Sequence, residues 1–292
     1  MHQAEDPRVR TMSNLRVLLE DRVLVESPRW HDDRLLFADW GSGEVGEIIA
    51  LDLAGRADVV AEVEALSCID RLPDGRLLAI SGGSLLRRES DGTFVKHADL
   101  SELSTKPWND IVVDGRGNIY LNNIGFDFGE GEFAPGLIAL VTSDGSVRQV
   151  ADGLAFPNGM AVSPDNSTLL VAESYGGKLT GYDIQPDGSL GDARAWAELG
   201  EDAAPDGICM DAENAAWYAS VPGQHCVRVR EGGEVLETVQ ADRGCFACML
   251  GGVHGRTLYV VGAKWPDAME GEARTGQVWA AEVSVPGAGW PR

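Results

Sequence analysis

A turn, a short apolar strand and a small polar cluster recur six times along the chain, as HDDRLLFADW, PDGRLLAISGG, DGRGNIYLNN, PDNSTLLVAES, DAENAAWYAS and VHGRTLYVVGA. Anchored on Leu35, Leu77, Ile119, Leu169, Ala216 and Leu258, successive copies are spaced by 42, 42, 50, 47 and 42 residues. That is the period of a four-stranded propeller blade. Each copy lies between other alternating or apolar strands, and Asp-Gly, Pro-Asp and Gly-Gly pairs mark the turns. Helical periodicity is nearly absent. The pattern predicts an all-β chain folded as a six-bladed β-propeller, four antiparallel strands per blade. The N- and C-terminal strands close the ring, LRVLLEDRVLVE pairing with GQVWAAEVSV. Residues 1–13 read as a flexible tail and 14–292 as a single propeller domain. A pair of β-sandwiches, the competing architecture, would not repeat six times at even spacing.

Charge then narrows the partners. Among 292 residues, 46 acidic against 24 basic give a formal charge of −22, which repels phosphate backbones and anionic lipid surfaces. Nucleic acid and membranes are therefore not expected partners, and a hard divalent cation is a natural one wherever carboxylates converge. No run approaches eighteen apolar residues, and the first residues lack a signal-peptide apolar core, so a cytoplasmic location is expected. The five cysteines, Cys68, Cys209, Cys226, Cys245 and Cys248, read as small buried apolar residues. Cys245 and Cys248, spaced CFAC, are the one pair with redox or metal spacing, and no second pair accompanies them.

In a propeller the innermost strand of each blade precedes the turn and the quoted strand follows it. The start of the first and the end of the second therefore share one face of the ring. Counting back from the anchors, inner strands begin near Glu26, Cys68, Asn109, Asn158, Asp206 and Phe246. Equivalent frames place equivalent residues around one axis, so Glu26, Asn109, Asn158 and Asp206 are expected to point into a common mouth. Prolines stand beside each in ESP, KPWND, FPNG and APDG and restrict the local backbone. Two carboxylates and two amides form a hard oxygen set suited to one divalent metal ion. Ca2+ is the first choice, with Mg2+, Mn2+ or Zn2+ as alternatives. Taken singly, Asn158-Gly159 and Asp206-Gly207 are also common turn dipeptides. Asp74, Asp114, Asp165 and Asp211 read as turn formers on the opposite face, and His225 as a loop residue.

Read in order, ESPRWHDDRLLFADW, SCIDRLPDGRLLAIS, WNDIVVDGRGNIYLNN, FPNGMAVSPDNSTLLVAES, PDGICMDAENAAWYAS and CFACMLGG resemble the senescence marker protein (regucalcin), gluconolactonase and luciferin-regenerating-enzyme group of propellers over nearly the whole chain. The resemblance implies that Glu26, Asn158 and Asp206 are metal ligands. It implies that Asn109 is a neighbouring amide that binds substrate or completes the metal shell, and that Asp206 is the catalytic carboxylate. It further implies a lactonase or related esterase, with phosphotriester hydrolysis on the same metal or a non-catalytic calcium-binding propeller as the alternatives. One departure stands out: sugar-lactone hydrolases of this group tend to carry an arginine where this chain has Pro107. The remaining mouth-side candidates for holding a lactone or ester are Trp108, Phe126, Phe128, Phe156 and Trp265 as apolar walls. Asn122, Asn123, Asp127 and Lys264 are the polar ones. An apolar or aromatic substrate is expected over a sugar-acid lactone.

Overall fold

Apolar residues alternating with polar ones between Asp, Asn and Gly turns produce strands throughout. Residues 10–12, 15–266 and 273–289 are described by the computed structural model, and no helix occurs among them. Strands β1 (Arg10–Met12) and β2 (Arg16–Arg22) come first. Blade one is then β3 (Val25–His31), β4 (Arg34–Asp39), β5 (Val45–Asp52) and β6 (Ala57–Glu64). Blade two is β7 (Leu66–Arg71), β8 (Leu77–Ser81), β9 (Ser84–Arg88) and β10 (Phe94–Asp99). Blade three is β11 (Trp108–Val113), β12 (Ile119–Asn123), β13 (Gly136–Val141) and β14 (Val147–Leu154). Blade four is β15 (Pro157–Val162), β16 (Thr168–Glu173), β17 (Lys178–Asp183) and β18 (Arg194–Glu198). Blade five is β19 (Pro205–Met210), β20 (Ala216–Ser220), β21 (His225–Val229) and β22 (Val235–Gln240). Blade six contains β23 (Gly244–Gly251), β24 (Thr257–Ala263) and β25 (Gly276–Glu282).

The chain runs outward through each antiparallel blade. The innermost strands β3, β7, β11, β15, β19 and β23 touch one another in that order, and β23 closes onto β3. Blade six is completed by β2, antiparallel to β25 with Arg16 opposite Ala280 and Arg22 opposite Gly276. The clasp expected from the two ends of the chain therefore forms. Arg10–Met12 departs from the expected tail: it lies parallel to β22, Arg10 opposite Glu237, and makes that sheet five-stranded. The outer edge of β22 offers unpaired backbone groups to any nearby segment. The rest of the expected tail, residues 1–9 and 13, lies outside the described residues.

The core is a set of apolar seams between blades. Leu78 and Ile80 of blade two meet Ile111 and Val113 of blade three, and Trp217 of blade five meets Val260 and Trp279 of blade six. All five cysteines are buried and free, and Cys209, Cys226, Cys245 and Cys248 share that second seam. They pack as small apolar residues, as expected. The turns also follow the sequence reading: Asp74 accepts from Arg76 N, Asp114 from Arg116 N, Asp165 from Ser167 N and Asp211 from Glu213 N. No helix among the described residues is long and apolar enough to cross a membrane.

Candidate active site

Every inner strand slips register against its neighbour near its start. The breaks fall between Glu26 and Arg29, Leu66 and Ile69, Trp108 and Asp110, Pro157 and Met160, Pro205 and Ile208, and Cys245 and Ala247. Such bulges re-aim a side chain and are frequent beside active sites. Here all six residues picked out by the repeat lie at or within a bulge. The glycines that follow Asn158 and Asp206 serve this packing and not a turn. A Cβ on Gly159 would meet Asp206 O at 2.5 Å, and one on Gly207 would meet the Ala247 Cβ at 2.3 Å. Only bare backbone lets neighbouring inner strands come this close around the axis. Phe156 and Ala204, each preceding the proline that begins an inner strand, have φ of 58° and 37°. This left-handed backbone is strained for residues other than glycine and is concentrated here at the mouth.

The bulges surround a void with about 10 Å³ of free space, room for one ion or one water. Glu26, Asn109, Asn158 and Cys68 line it, together with Trp40. Arg29, Asp110, Gly207 and Ile208 are also in its wall, and the Asp206 carboxyl, itself outside the lining, interacts with Glu26 and Asp110. Each polar group is anchored so that one oxygen remains over. Asn109 Nδ2 donates to the Pro157 carbonyl at 3.3 Å and Asn158 Nδ2 to Ser174 Oγ at 3.2 Å. Ser174 Oγ in turn donates to the Pro205 carbonyl at 2.8 Å. One oxygen of Glu26 accepts from Ser27 N at 2.9 Å. Asn122, fully buried, donates through Nδ2 to the Asn158 carbonyl and accepts from Asp110 N at 3.2 Å. Neither the amide oxygens of Asn109 and Asn158 nor the second Glu26 oxygen has a donor among the described residues.

Electrostatically the site is under tension. Burial lifts the Glu26 carboxyl to about 7, with the Asp110 charge adding to the effect. Burial, then the charges of Glu26 and Asp110, pushes Asp206 well above the ordinary carboxylate range. Beneath them Arg29 runs across the axis from blade one. Its Nε lies 3.5 Å from Asp70 Oδ1 in blade two, and its Nη2 3.3 Å from Asp110 Oδ1 in blade three. Asp110 also accepts from Met160 N of blade four at 2.8 Å. Asp70 and Asp110 thus share one guanidinium, whose charge also acts on Glu26. Oxygen atoms from two repelling carboxylates and two oriented amides, around an ion-sized void, fit a hard divalent cation. Among the described residues no three His, Cys, Asp or Glu converge as a metal site. Here half of the donors are amides.

The other expected site residues divide. Trp108, expected to hold substrate, is buried in the seam between blades two and three and is not among the residues lining the void. It neighbours Asn109 on the same strand, and the bulge between Trp108 and Asp110 turns Asn109 toward the void instead. Asn123, also expected to hold substrate, is likewise engaged within the fold. It is fully buried, donates to the Lys106 carbonyl and accepts from Gly125 N, so it clamps its own loop. Asp127 is exposed at the rim and paired with Lys106 at 2.6 Å. Phe126 and Trp265 do join mouth-side aromatic contacts: Phe126 packs on Phe156 at 5.6 Å and Trp265 on Phe128 at 6.0 Å. His225 packs edge-on against Tyr218 and does not line the void. The Arg29 network went unread in the sequence, although a charged residue inside an apolar inner strand, as in SPRW, CID and WND, is its visible sign.

The chain is similar to known proteins along most of its length. The family profile described as the SMP-30/Gluconolactonase/LRE-like region matches residues 24–264. A 6-deoxy-6-sulfogluconolactonase of Pseudomonas putida is 24% identical, covering 94% of this chain and 96% of its own. A diisopropyl-fluorophosphatase of Loligo vulgaris is 28% identical over 62% of this chain and 65% of its own. Among solved structures, a calcium-binding protein, regucalcin, from Agrobacterium tumefaciens superimposes with a TM-score of 0.80 at 21% identity, covering 96% of each chain.

Proposed function

The chain belongs to the SMP-30/gluconolactonase/LRE-like family, and from that premise we propose that it hydrolyses lactones or related esters with the help of one divalent cation. The observation that carries the proposal is the meeting of two buried, mutually repelling carboxyl groups, Glu26 and Asp206, beside a void lined by Asn109 and Asn158. Glu26, Asn158 and Asp206 would hold the cation, with Asn109 beside them, and Ca2+ suits their oxygen chemistry best. When bound, the cation supplies Lewis-acid polarisation of the substrate carbonyl.

The remaining chemistry belongs to the chain. Asp206 either takes a proton from the attacking water or attacks the carbonyl carbon itself and forms an acyl-enzyme that water then cleaves. In a single turnover in 18O-labelled water, label found in Asp206 identifies the nucleophilic route with water opening the anhydride at the aspartyl carbon. Trapping of the acyl-enzyme by hydroxylamine tests the route in which water attacks the acyl carbon instead. Asn109 would orient the substrate. Asn122 and Ser174 hold Asn158 in register, and Arg29 offsets the buried negative charge beneath. Five buried free thiols are in keeping with a reducing compartment such as the cytoplasm.

The likeness to a diisopropyl-fluorophosphatase supports a second reading, in which the same donors serve hydrolysis at phosphorus. A panel of lactones, aryl esters and phosphotriesters, assayed with and without chelator, tests both. Chelator-sensitive lactone turnover supports the first reading, turnover of phosphotriesters alone supports the second, and a protein that binds calcium but turns over nothing is a non-catalytic propeller.

A further inference from the structure

The loop of residues 124–135, between β12 and β13, leaves blade three and reaches the opposite side of the ring. Its Phe128 ring stands 6.0 Å from Trp265, which follows β24 in blade six. Phe128 also packs on Phe156 of blade four at 5.4 Å, and Phe156 on Tyr175 at 4.9 Å. Phe126 and Phe133 of the same loop complete the group, 5.7 Å apart and each about 6 Å from Tyr175. These segments all lie at the end of the ring where the inner strands begin and the second strands finish. The six rings therefore form a roof over the mouth whose floor is Glu26 and Asp206.

Two features make this roof more than packing. It leaves large apolar rings in water, Phe128 at 40%, Phe133 at 54%, Tyr175 at 56% and Trp265 at 41% exposed, and clustered exposure of this kind marks a binding surface. Several polar side chains around the same opening, above the ion-sized void, are already engaged. Ser81 donates to the Glu64 carbonyl, Asn123 to that of Lys106, Ser174 to that of Pro205 and Ser220 to that of Ala203. Lys106 and Asp127 pair with each other. A polyhydroxylated ligand entering here would leave hydroxyls unpaired, whereas a flat or aliphatic one would find rings to stack against.

We propose that this aromatic roof is the acyl-group subsite, and that the substrate is a lactone or ester whose apolar or aromatic body lies against Phe128 and Trp265 with its carbonyl directed to the floor. The inference rests on the lactone-hydrolase reading. The ion-sized void admits no lactone ring, so the ring sits above it, against Phe128 and Trp265.

The test compares kcat/KM for dihydrocoumarin and for δ-gluconolactone in calcium-loaded wild type, Phe128→Ala and Trp265→Ala, with calcium affinity measured on each protein. The wild type should favour dihydrocoumarin by at least about tenfold. Each substitution should erase about tenfold of that preference, mainly through KM, corresponding to about 1.4 kcal/mol. Calcium affinity should stay within about twofold, so a lost metal site cannot mimic the effect. A preference for gluconolactone, or variants that leave the ratio unchanged, overturns the subsite. If the wild type turns over neither lactone, the hydrolase reading falls, and dihydrocoumarin binding followed by tryptophan fluorescence decides the subsite. Binding weakened about tenfold by Phe128→Ala supports it, and no binding to wild type overturns it.

Discussion

The Arg29 guanidinium lies 3.3 Å from the Asp110 carboxylate although the two belong to inner strands two blades apart. Asp70 of the intervening blade flanks the same guanidinium at 3.5 Å. Three blades are thus tied at the axis by one buried cation, directly under the candidate site. Removing that cation leaves two buried carboxylates without a counter-charge. Arg29→Met should therefore cost about 3–5 kcal/mol of unfolding free energy in urea titration. In the double variant with Asp110→Asn the cost should fall clearly below the sum of the single losses, since one of the orphaned charges is then absent.

The metal-free protein should become less stable as pH rises from about 4 to about 7. Burial raises Glu26 to about 7 and Asp70 to about 6, so between the unfolded and folded values the native state binds more protons than the unfolded one. Stability then decreases with pH across that window. Thermal melts in chelator at pH 5 and pH 7.5 should show the decline, and Glu26→Gln should flatten it while raising the melting temperature at pH 7.5. Unchanged melts for Glu26→Gln would show that Glu26 is not held under repulsion. The same variant should bind calcium at least about tenfold more weakly, because a formal ligand charge is gone.

Asp206→Asn should lower kcat by about 10² or more, the usual scale for losing a positioned base, with the propeller intact by circular dichroism. An amide still offers an oxygen to the cation but cannot take a proton or form an acyl intermediate. Retention of more than about a tenth of wild-type kcat with calcium bound would remove Asp206 from the chemical step.

Trp108→Ala should read as a core mutation and not as a binding-site one. The ring is buried between blades two and three with Ile111, Leu121 and Leu100, so about 3–5 kcal/mol of stability should be lost. Urea titration measures this directly, and a stable variant with a raised KM would return Trp108 to the substrate site.

What the sequence could reveal tracks what repeats. Leu35, Leu77 and their four counterparts carry the period of the blade, and counting back from them reached Glu26, Asn109, Asn158 and Asp206, each of which sits in a bulge at the mouth. Residues governed by a single step along a strand were harder. Trp108 and Asn109 are neighbours with opposite fates, and the bulge between Trp108 and Asp110 decides which faces the axis. Contacts that join different blades carry no periodic trace. Arg29 finds Asp70 and Asp110 only after the ring closes. Likewise the Phe128 and Trp265 contact depends on where a loop of blade three lands, which neither period two nor the blade period encodes.

The central claim, a cation-assisted lactone hydrolase built on Glu26, Asn158 and Asp206, is tested most directly by one titration. Protein stripped with chelator is returned to calcium in steps, and bound calcium and lactone hydrolysis are recorded on the same samples. The account predicts one tightly bound calcium per chain and a hydrolysis rate that rises in proportion to occupancy from near zero. Hydrolysis that is unaffected by stripping, or a chain that binds less than about a tenth of an equivalent of calcium, magnesium, manganese or zinc where a hard-oxygen site should fill, would contradict it.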